Sequence, residues 1–166
     1  MPSHDKAVIG RVVDAGVDGV IVPSVESRDQ AMALADAVRL PPQGSRSTGA
    51  ARSSFGLTSG TEPLLLPMVE TRLGRDHAAE IAAVDGVDGI FVGPYDLSVS
   101  LGLASPVLPE ALAAIRGVIE VGRSAGGVVG LYAGADELRA LGPLLDLVGL
   151  DSDITALRLG LAALFG

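Results

Sequence analysis

The chain has 166 residues, about the length of one domain, and 48% of them are hydrophobic, which is enough for a buried core and excludes an intrinsically disordered protein. A net charge of −8 argues against nucleic acid or an anionic membrane as partner, because both select for basic surfaces. The absence of cysteine excludes disulfides and thiolate metal sites. The sequence has neither a signal-peptide pattern nor an apolar run long enough to span a membrane. We therefore expect a single cytoplasmic domain over residues 1–166.

Helix and strand patterns alternate along the chain. A helical stripe over residues 5–15 leads to a short apolar strand at 19–23, and Ser27 followed by Gln30 predicts the capped start of a second helix. The later predicted elements are strands at 64–69, 89–92, 128–131 and 145–149, a turn at 93–98, helices at 75–84, 107–125 and 136–141, and a last amphipathic helix at about 152–165.

Two segments, GVDGVIVP at 16–23 and GVDGIFVGP at 86–94, are nearly the same and predict one helix-to-strand joint used twice. Repeated strand–helix units are typical of an α/β fold with a parallel sheet and right-handed crossovers. We therefore expect about five parallel strands with flanking helices. The functional edge of such a sheet is the carboxyl end of its strands, whether the sheet closes or stays open.

Residues 40–62 are rich in Ser, Thr, Gly and Arg and form a long predicted loop. Loops of this length inside an α/β domain are either functional or mobile surface excursions, and the sequence leaves both readings open. Arg46 and Arg52 in this loop are candidates to hold an anionic substrate, although exposed arginines are common in loops.

Two acidic residues fall at the predicted functional edge. Glu70 directly follows the strand at 64–69, and Asp96 lies four residues after Val92. Since consecutive parallel strands are often neighbours, both carboxylates can converge above the sheet, and a divalent cation such as magnesium would relieve their repulsion. The alternative is that Glu70 caps a helix and Asp96 caps a turn.

The remaining ionisable candidates favour structural roles. His77 is expected on a solvated helix face and His4 in an exposed segment. Asp85 and Asp88 precede a strand and so lie at the end of the sheet that serves stability. Asp151 or Ser152 is expected to cap the last helix, with Asp153 in its first turn.

Five segments, which occur in order across the chain, together resemble a known family: 19–23, 41–46, 69–71, 87–98 and 129–151. The most specific part is Gly-Pro-Tyr-Asp-Leu-Ser at 93–98 paired with Glu-Thr at 70–71. The sequence resembles the HpcH/HpaI family of metal-dependent class II aldolases, which includes citrate lyase beta-like proteins.

The resemblance implies an incomplete TIM-type (β/α) barrel, comprising strands four to eight of the family barrel. It implies that Glu70 and Asp96 bind magnesium, manganese or cobalt, and that backbone amides around Pro94, Tyr95 and Asp96 bind the carboxylate of a 2-keto acid such as pyruvate. The implied activity is that of a carbon–carbon lyase, which cleaves or forms 4-hydroxy-2-keto acids, with an aldehyde as second substrate, through a metal-bound pyruvate enolate.

Two departures from the family pattern bear on activity. Met68 stands where these aldolases usually have a Gln that contacts the keto acid, and Met cannot donate that hydrogen bond. A complete barrel takes about 250 residues, so the first three strands, with the family's catalytic histidine and arginine, have no counterpart here. The general base is therefore unassigned. We expect a truncated chain of modest activity, which either only enolises a metal-bound keto acid or needs a partner chain that supplies the first three strands.

Association with other chains is also expected. Family members are typically hexamers whose last helix, here about 152–165, packs on a neighbouring subunit, and the open edges of a partial barrel favour self-association. Two alternative functions stay open: a fragment that binds metal or keto acid without catalysis, and a citrate lyase beta-like enzyme acting on an acyl-CoA ester.

Overall fold

The computed structural model describes residues 4–47, 62–150 and 152–165, and within them helices and strands alternate. The helices are α1 (Lys6–Asp14), α2 (Arg28–Val38), α3 (Arg72–Asp76), α4 (Ala78–Ala82), α5 (Pro94–Ser100), α6 (Pro109–Ser124), α7 (Ala135–Leu141) and α8 (Asp153–Phe165). The strands are β1 (Gly19–Val22), β2 (Leu64–Val69), β3 (Gly89–Val92), β4 (Val128–Ala133) and β5 (Leu147–Leu150), and a short 3₁₀ turn spans Gly142–Leu144.

The five strands form one parallel sheet in the order β1-β2-β3-β4-β5. Val22 is paired with Pro67 and Val69 with Val92, so the carboxyl ends of the first three strands lie side by side. The sheet curls as part of a TIM-type barrel with flanking helices. This confirms the predicted α/β class and the incomplete TIM-type (β/α) barrel.

Side chains of β2 divide between the two faces of the sheet, as the pleat requires. Leu65 and Val69 pack in the cores beneath the helices. Leu66 and Met68 lie on the other face, where they contact Phe91 of β3. Both faces of this strand are therefore buried, which is why β2 reads as a continuous apolar run rather than an alternating one.

The repeated joint has the same geometry in both copies. Gly16 and Gly86 have φ of 88° and 90°, a conformation that glycine adopts without steric cost at the ends of helices. Two residues later the carbonyls of Asp18 and Asp88 accept hydrogen bonds from the first strand residue of the next unit, at 2.9 and 2.8 Å. The near-identical sequences thus dock successive strands in the same way.

Two predicted elements differ from the structure. The predicted helix at 75–84 is instead the pair α3 and α4, because Thr71 caps a helix that begins earlier and the chain breaks regular helix geometry at His77. The predicted turn at 93–98 is helix α5. Pro94 occupies its first position, where proline is well suited, and Leu97 is buried in the core.

Arg39, which the sequence analysis did not single out, closes the amino end of the sheet. Its guanidinium is 5% exposed and donates to the carbonyls of Pro63 (2.8 Å) and Gly86 (2.8 Å). It also pairs with the carboxylate of Asp88, which in turn accepts the N–H of Leu65 at 2.6 Å. Asp88 therefore has the structural role that its place before β3 predicted.

Helix α8 differs from the other helices in being apolar and almost wholly exposed. Of its described residues only Thr155 is partly buried. The large exposed apolar side chains are Ile154, Leu157, Leu159, Leu161, Leu164 and Phe165, with exposed fractions from 46% to 84%. In the part of the chain that the structure describes, no helix combines the length and the apolar character needed to cross a membrane.

The Arg39 network predicts a large stability effect. Arg39→Met keeps the length of the side chain but removes the donor to two carbonyls and the cation beside Asp88, so we expect the free energy of unfolding to fall by about 3 kcal/mol. Urea denaturation followed by circular dichroism measures it. Arg116→Met, at an exposed arginine of α6, is the control and should change stability by less than about 0.5 kcal/mol. Equal effects in the two variants would contradict the assignment.

Candidate active site

A cavity of about 490 Å³ lies at the carboxyl edge of the sheet. Residues that follow β1, β2 and β3 contribute to it, together with a side chain from β4. Its lining residues are Pro23, Met68, Glu70, Gly93, Pro94, Tyr95, Asp96 and Tyr132. The structure thus brings Glu70 and Asp96, the two carboxylates predicted from sequence, into the wall of one cavity, together with the predicted substrate-binding residues Pro94, Tyr95 and Met68.

Glu70 is held firmly at this edge. The residue is only 8% exposed. Its Oε1 accepts two hydrogen bonds from Ser24, one from the backbone N–H at 2.8 Å and one from Oγ at 2.9 Å. Its Oε2 lies beside Gly93, where an added Cβ would come within 2.8 Å of that oxygen. Glycine at position 93 therefore leaves the space that the second carboxylate oxygen occupies.

Asp96 lies in the first turn of α5 and is exposed. Across residues 4–47, 62–150 and 152–165 its carboxylate has no hydrogen-bond or ion-pair partner. The N-cap of α5 is Gly93, which offers no side-chain acceptor, so the first-turn N–H groups of Tyr95 and Asp96 are not satisfied inside the helix. The helix that replaces the predicted turn thus presents a free carboxylate and backbone donors beside the same cavity.

Met68 and Tyr132 form apolar parts of the wall. Met68 is 9% exposed and packs on Phe91. The ring of Tyr132, half-exposed, meets the ring of Phe91 edge-to-face with centroids 5.2 Å apart. Tyr132 was not predicted as a site residue from the sequence. The available signal was its position at the carboxyl end of β4, in phase with Val128, which packs on the same face as Phe91.

Arg46 was a candidate for substrate binding, and the structure places it elsewhere. Its guanidinium pairs with Asp14 at 2.8 Å and donates to the Val38 carbonyl at 2.8 Å, at the carboxyl ends of α1 and α2. These helix ends lie at the amino edge of the sheet, away from Glu70, so Arg46 is not part of the proposed site. Arg52 and Asp151 lie outside the described residues.

Neither histidine lines the cavity. His77 was expected on a solvated face, but it is partly buried and its Nδ1 donates to the Glu26 carbonyl at 2.8 Å, so that prediction was wrong. His4 is exposed as expected and donates from Nε2 to the Pro23 carbonyl at 2.6 Å.

Ser152 caps α8 by accepting the N–H of Thr155 at 3.3 Å, as one of the two predicted alternatives.

The donor chemistry of the cavity fits a hard divalent cation. Two carboxylates from different elements face it, and Glu70 has one oxygen not engaged by Ser24. No group of three or more His, Asp or Glu side chains that could hold a metal occurs among the described residues. Magnesium is typically bound through one or two carboxylates with the other positions left to water and substrate. The two residues present therefore suit that ion.

The family model that matches this chain and two of its curated relatives are described as aldolases. The family model described as HpcH/HpaI aldolase/citrate lyase matches residues 1–156. The chain is 36% identical to the hydroxypyruvate/pyruvate aldolase of Chromohalobacter salexigens, covering 94% of this chain and 66% of that protein. It is 34% identical to the 4-hydroxy-2-oxovalerate aldolase of Rhodococcus jostii, covering 94% of this chain and 65% of that protein.

The fold comparison agrees with the sequence comparison. The crystal structure of an HpcH/HpaI aldolase/citrate lyase family protein from Burkholderia cenocepacia superposes with a TM-score of 0.81 at 31% identity, covering 98% of this chain and 69% of that one. The chain spans less than two thirds of the length of either curated relative. With the family model matching almost its whole length, the chain belongs to the HpcH/HpaI aldolase/citrate lyase family.

Proposed function

We propose that this chain carries the metal-binding and keto-acid-binding part of a class II aldolase, a carbon–carbon lyase acting on 4-hydroxy-2-keto acids. The observation that carries the proposal is that Glu70 and Asp96 line one cavity at the carboxyl edge of the sheet. Family membership and relatives named as pyruvate and 4-hydroxy-2-oxovalerate aldolases support the substrate class, a pyruvate-like keto acid with an aldehyde.

Glu70 and Asp96 would hold the divalent cation, magnesium by the hardness of their oxygens. When bound, the cation supplies Lewis acidity that stabilises negative charge developing on a keto oxygen. Glu70 brings a carboxylate whose orientation is set before the cation arrives, since Oε1 is already bonded to Ser24. Asp96 brings a carboxylate with no competing partner in the described residues.

The substrate carboxylate would lie at the start of α5. The N–H groups of Tyr95 and Asp96 are donors without partners in the helix, and backbone donors at a helix start favour anions. Pro94 fixes this first turn. Met68 and Pro23 give the cavity an apolar wall that lowers the local dielectric and strengthens these electrostatic contacts.

Proton transfer needs a group that this site does not supply. In the described residues the cavity wall contains no His, Lys or Arg, and Met68 offers no hydrogen-bond donor. We propose that the general base, and the arginine side chain that contacts the keto-acid oxygen, come from protein outside these five strands, as preceding strands or a complementing chain.

Isotope exchange at the methyl group of pyruvate tests the metal and keto-acid site. With Mg²⁺ in D₂O, buffer base can remove methyl protons from cation-bound pyruvate without the missing protein base, so we expect slow exchange with the full chain. Glu70→Gln and Asp96→Asn should slow it on the order of 100-fold, because each amide keeps the shape but removes the negative charge. Proton NMR follows the loss of the methyl signal. Glu110→Gln, at the exposed start of α6, is the matched control and should exchange at the wild-type rate.

Unchanged exchange in both site variants would contradict the proposal. Calorimetric binding of Mg²⁺ and oxalate without any exchange would instead favour the alternative of a non-catalytic binding fragment.

We also propose that α8 packs against a second copy of the chain, because six large apolar side chains on one exposed helix favour burial in an interface. Leu157→Glu combined with Leu164→Glu should shift the chain to a smaller species in analytical ultracentrifugation. Leu73→Glu, on an exposed leucine of α3, should leave the association unchanged. A monomeric wild-type chain that melts cooperatively would contradict this prediction.

A further inference from the structure

Ser24 has an unusual backbone conformation at the edge of the candidate site. Its φ is 55°, and no other non-glycine residue in the described ranges has a positive φ. This left-handed conformation is unfavourable for a residue with a Cβ, and such strain is concentrated at functional sites, where the surrounding structure maintains it. Ser24 is placed there by β1, and the next N–H, of Val25, donates to the Met68 carbonyl at 3.2 Å.

The strained conformation lets one residue make two bonds to one oxygen. The N–H and the Oγ of Ser24 both donate to Oε1 of Glu70, at 2.8 and 2.9 Å. Hydrogen bonds to a carboxylate are stronger than those between neutral groups, and two donors from one rigid turn fix its orientation. The oxygen left for another partner is Oε2, on the side of Gly93.

The charge environment of Glu70 makes this contact important. Glu70 is 8% exposed, and in the part of the chain that the structure describes no Lys, Arg or His pairs with it. A buried carboxylate without a cation needs hydrogen-bond donors to replace the water that it loses on burial. The donors that the structure provides are the two from Ser24.

We propose that Ser24 is a positioning residue for cation binding: its hydroxyl and N–H orient Glu70 so that Oε2 is presented to the ion. The inference rests on the proposed function of Glu70 as a metal ligand. Substitution removes the hydroxyl that donates to Glu70, whereas the backbone N–H that also donates to it is retained in every variant.

Binding of Mn²⁺ alone to the full chain, followed by electron paramagnetic resonance, tests the inference together with thermal denaturation of the metal-free chain. Ser24→Ala and Ser24→Gly both remove the hydroxyl, so both should weaken Mn²⁺ binding about tenfold to 100-fold, the usual effect of losing a group that orients a ligand. Ser24→Gly should nevertheless melt at a higher temperature than Ser24→Ala, because glycine adopts a positive φ without strain.

Ser24→Thr provides the rescue. It restores the hydroxyl, so Mn²⁺ affinity should return to within a few-fold of wild type, although its branched side chain is strained at positive φ and lowers the melting temperature. Ser124→Ala, at the exposed end of α6, is the control for removal of a hydroxyl elsewhere and should bind as wild type.

The outcomes are separable. Affinity that stays unchanged in Ser24→Ala and Ser24→Gly, or that follows melting temperature across the three Ser24 variants, overturns the positioning role while the metal site stands. If Glu70→Gln binds Mn²⁺ as tightly as wild type, the proposed function of Glu70 fails, and the inference fails with it.

Discussion

Parallel pairing of β1, β2 and β3 is the constraint on which the site depends. Because the three strands run in the same direction and in register, their carboxyl ends meet at one edge, with Val22 beside Pro67 and Val69 beside Val92. The chain segments that leave these ends are therefore brought together although they are far apart in sequence. Ser24 and Glu70, 46 residues apart, form direct hydrogen bonds for this reason.

The charged side chains at the two edges of the sheet differ in whether they have partners of opposite charge. At the amino edge, Arg39 is buried with its donors engaged by carbonyls and by Asp88, so the charges there are compensated within the protein. At the carboxyl edge, Glu70 has only neutral donors and Asp96 has no partner in the described residues. The uncompensated negative charge lies at the edge where (β/α) barrels place their function, and the compensated charge lies where they place stability.

Regular features were predictable from sequence, and features that depend on contacts between distant segments were not. Apolar runs located the strands, the Ser27 cap located α2, and the rule for parallel sheets placed Glu70 and Asp96 in one cavity wall. Helix α5 was missed because its stability comes partly from burying Leu97, which no local pattern shows. Arg46 was misplaced because its partner, Asp14, is selected by the docking of α1 against α2.

The joint of helix, glycine turn and strand occurs twice, but the residues that follow its two strands have different roles at the carboxyl edge of the sheet. The first strand exits through Pro23 into the left-handed Ser24, whose donors face inward to a neighbouring acid. The second exits through Gly93 into a helix that carries an acid of its own. Two nearly identical strands thus end differently at one cavity: the residues after the first supply donors to Glu70, and those after the second supply the carboxylate of Asp96.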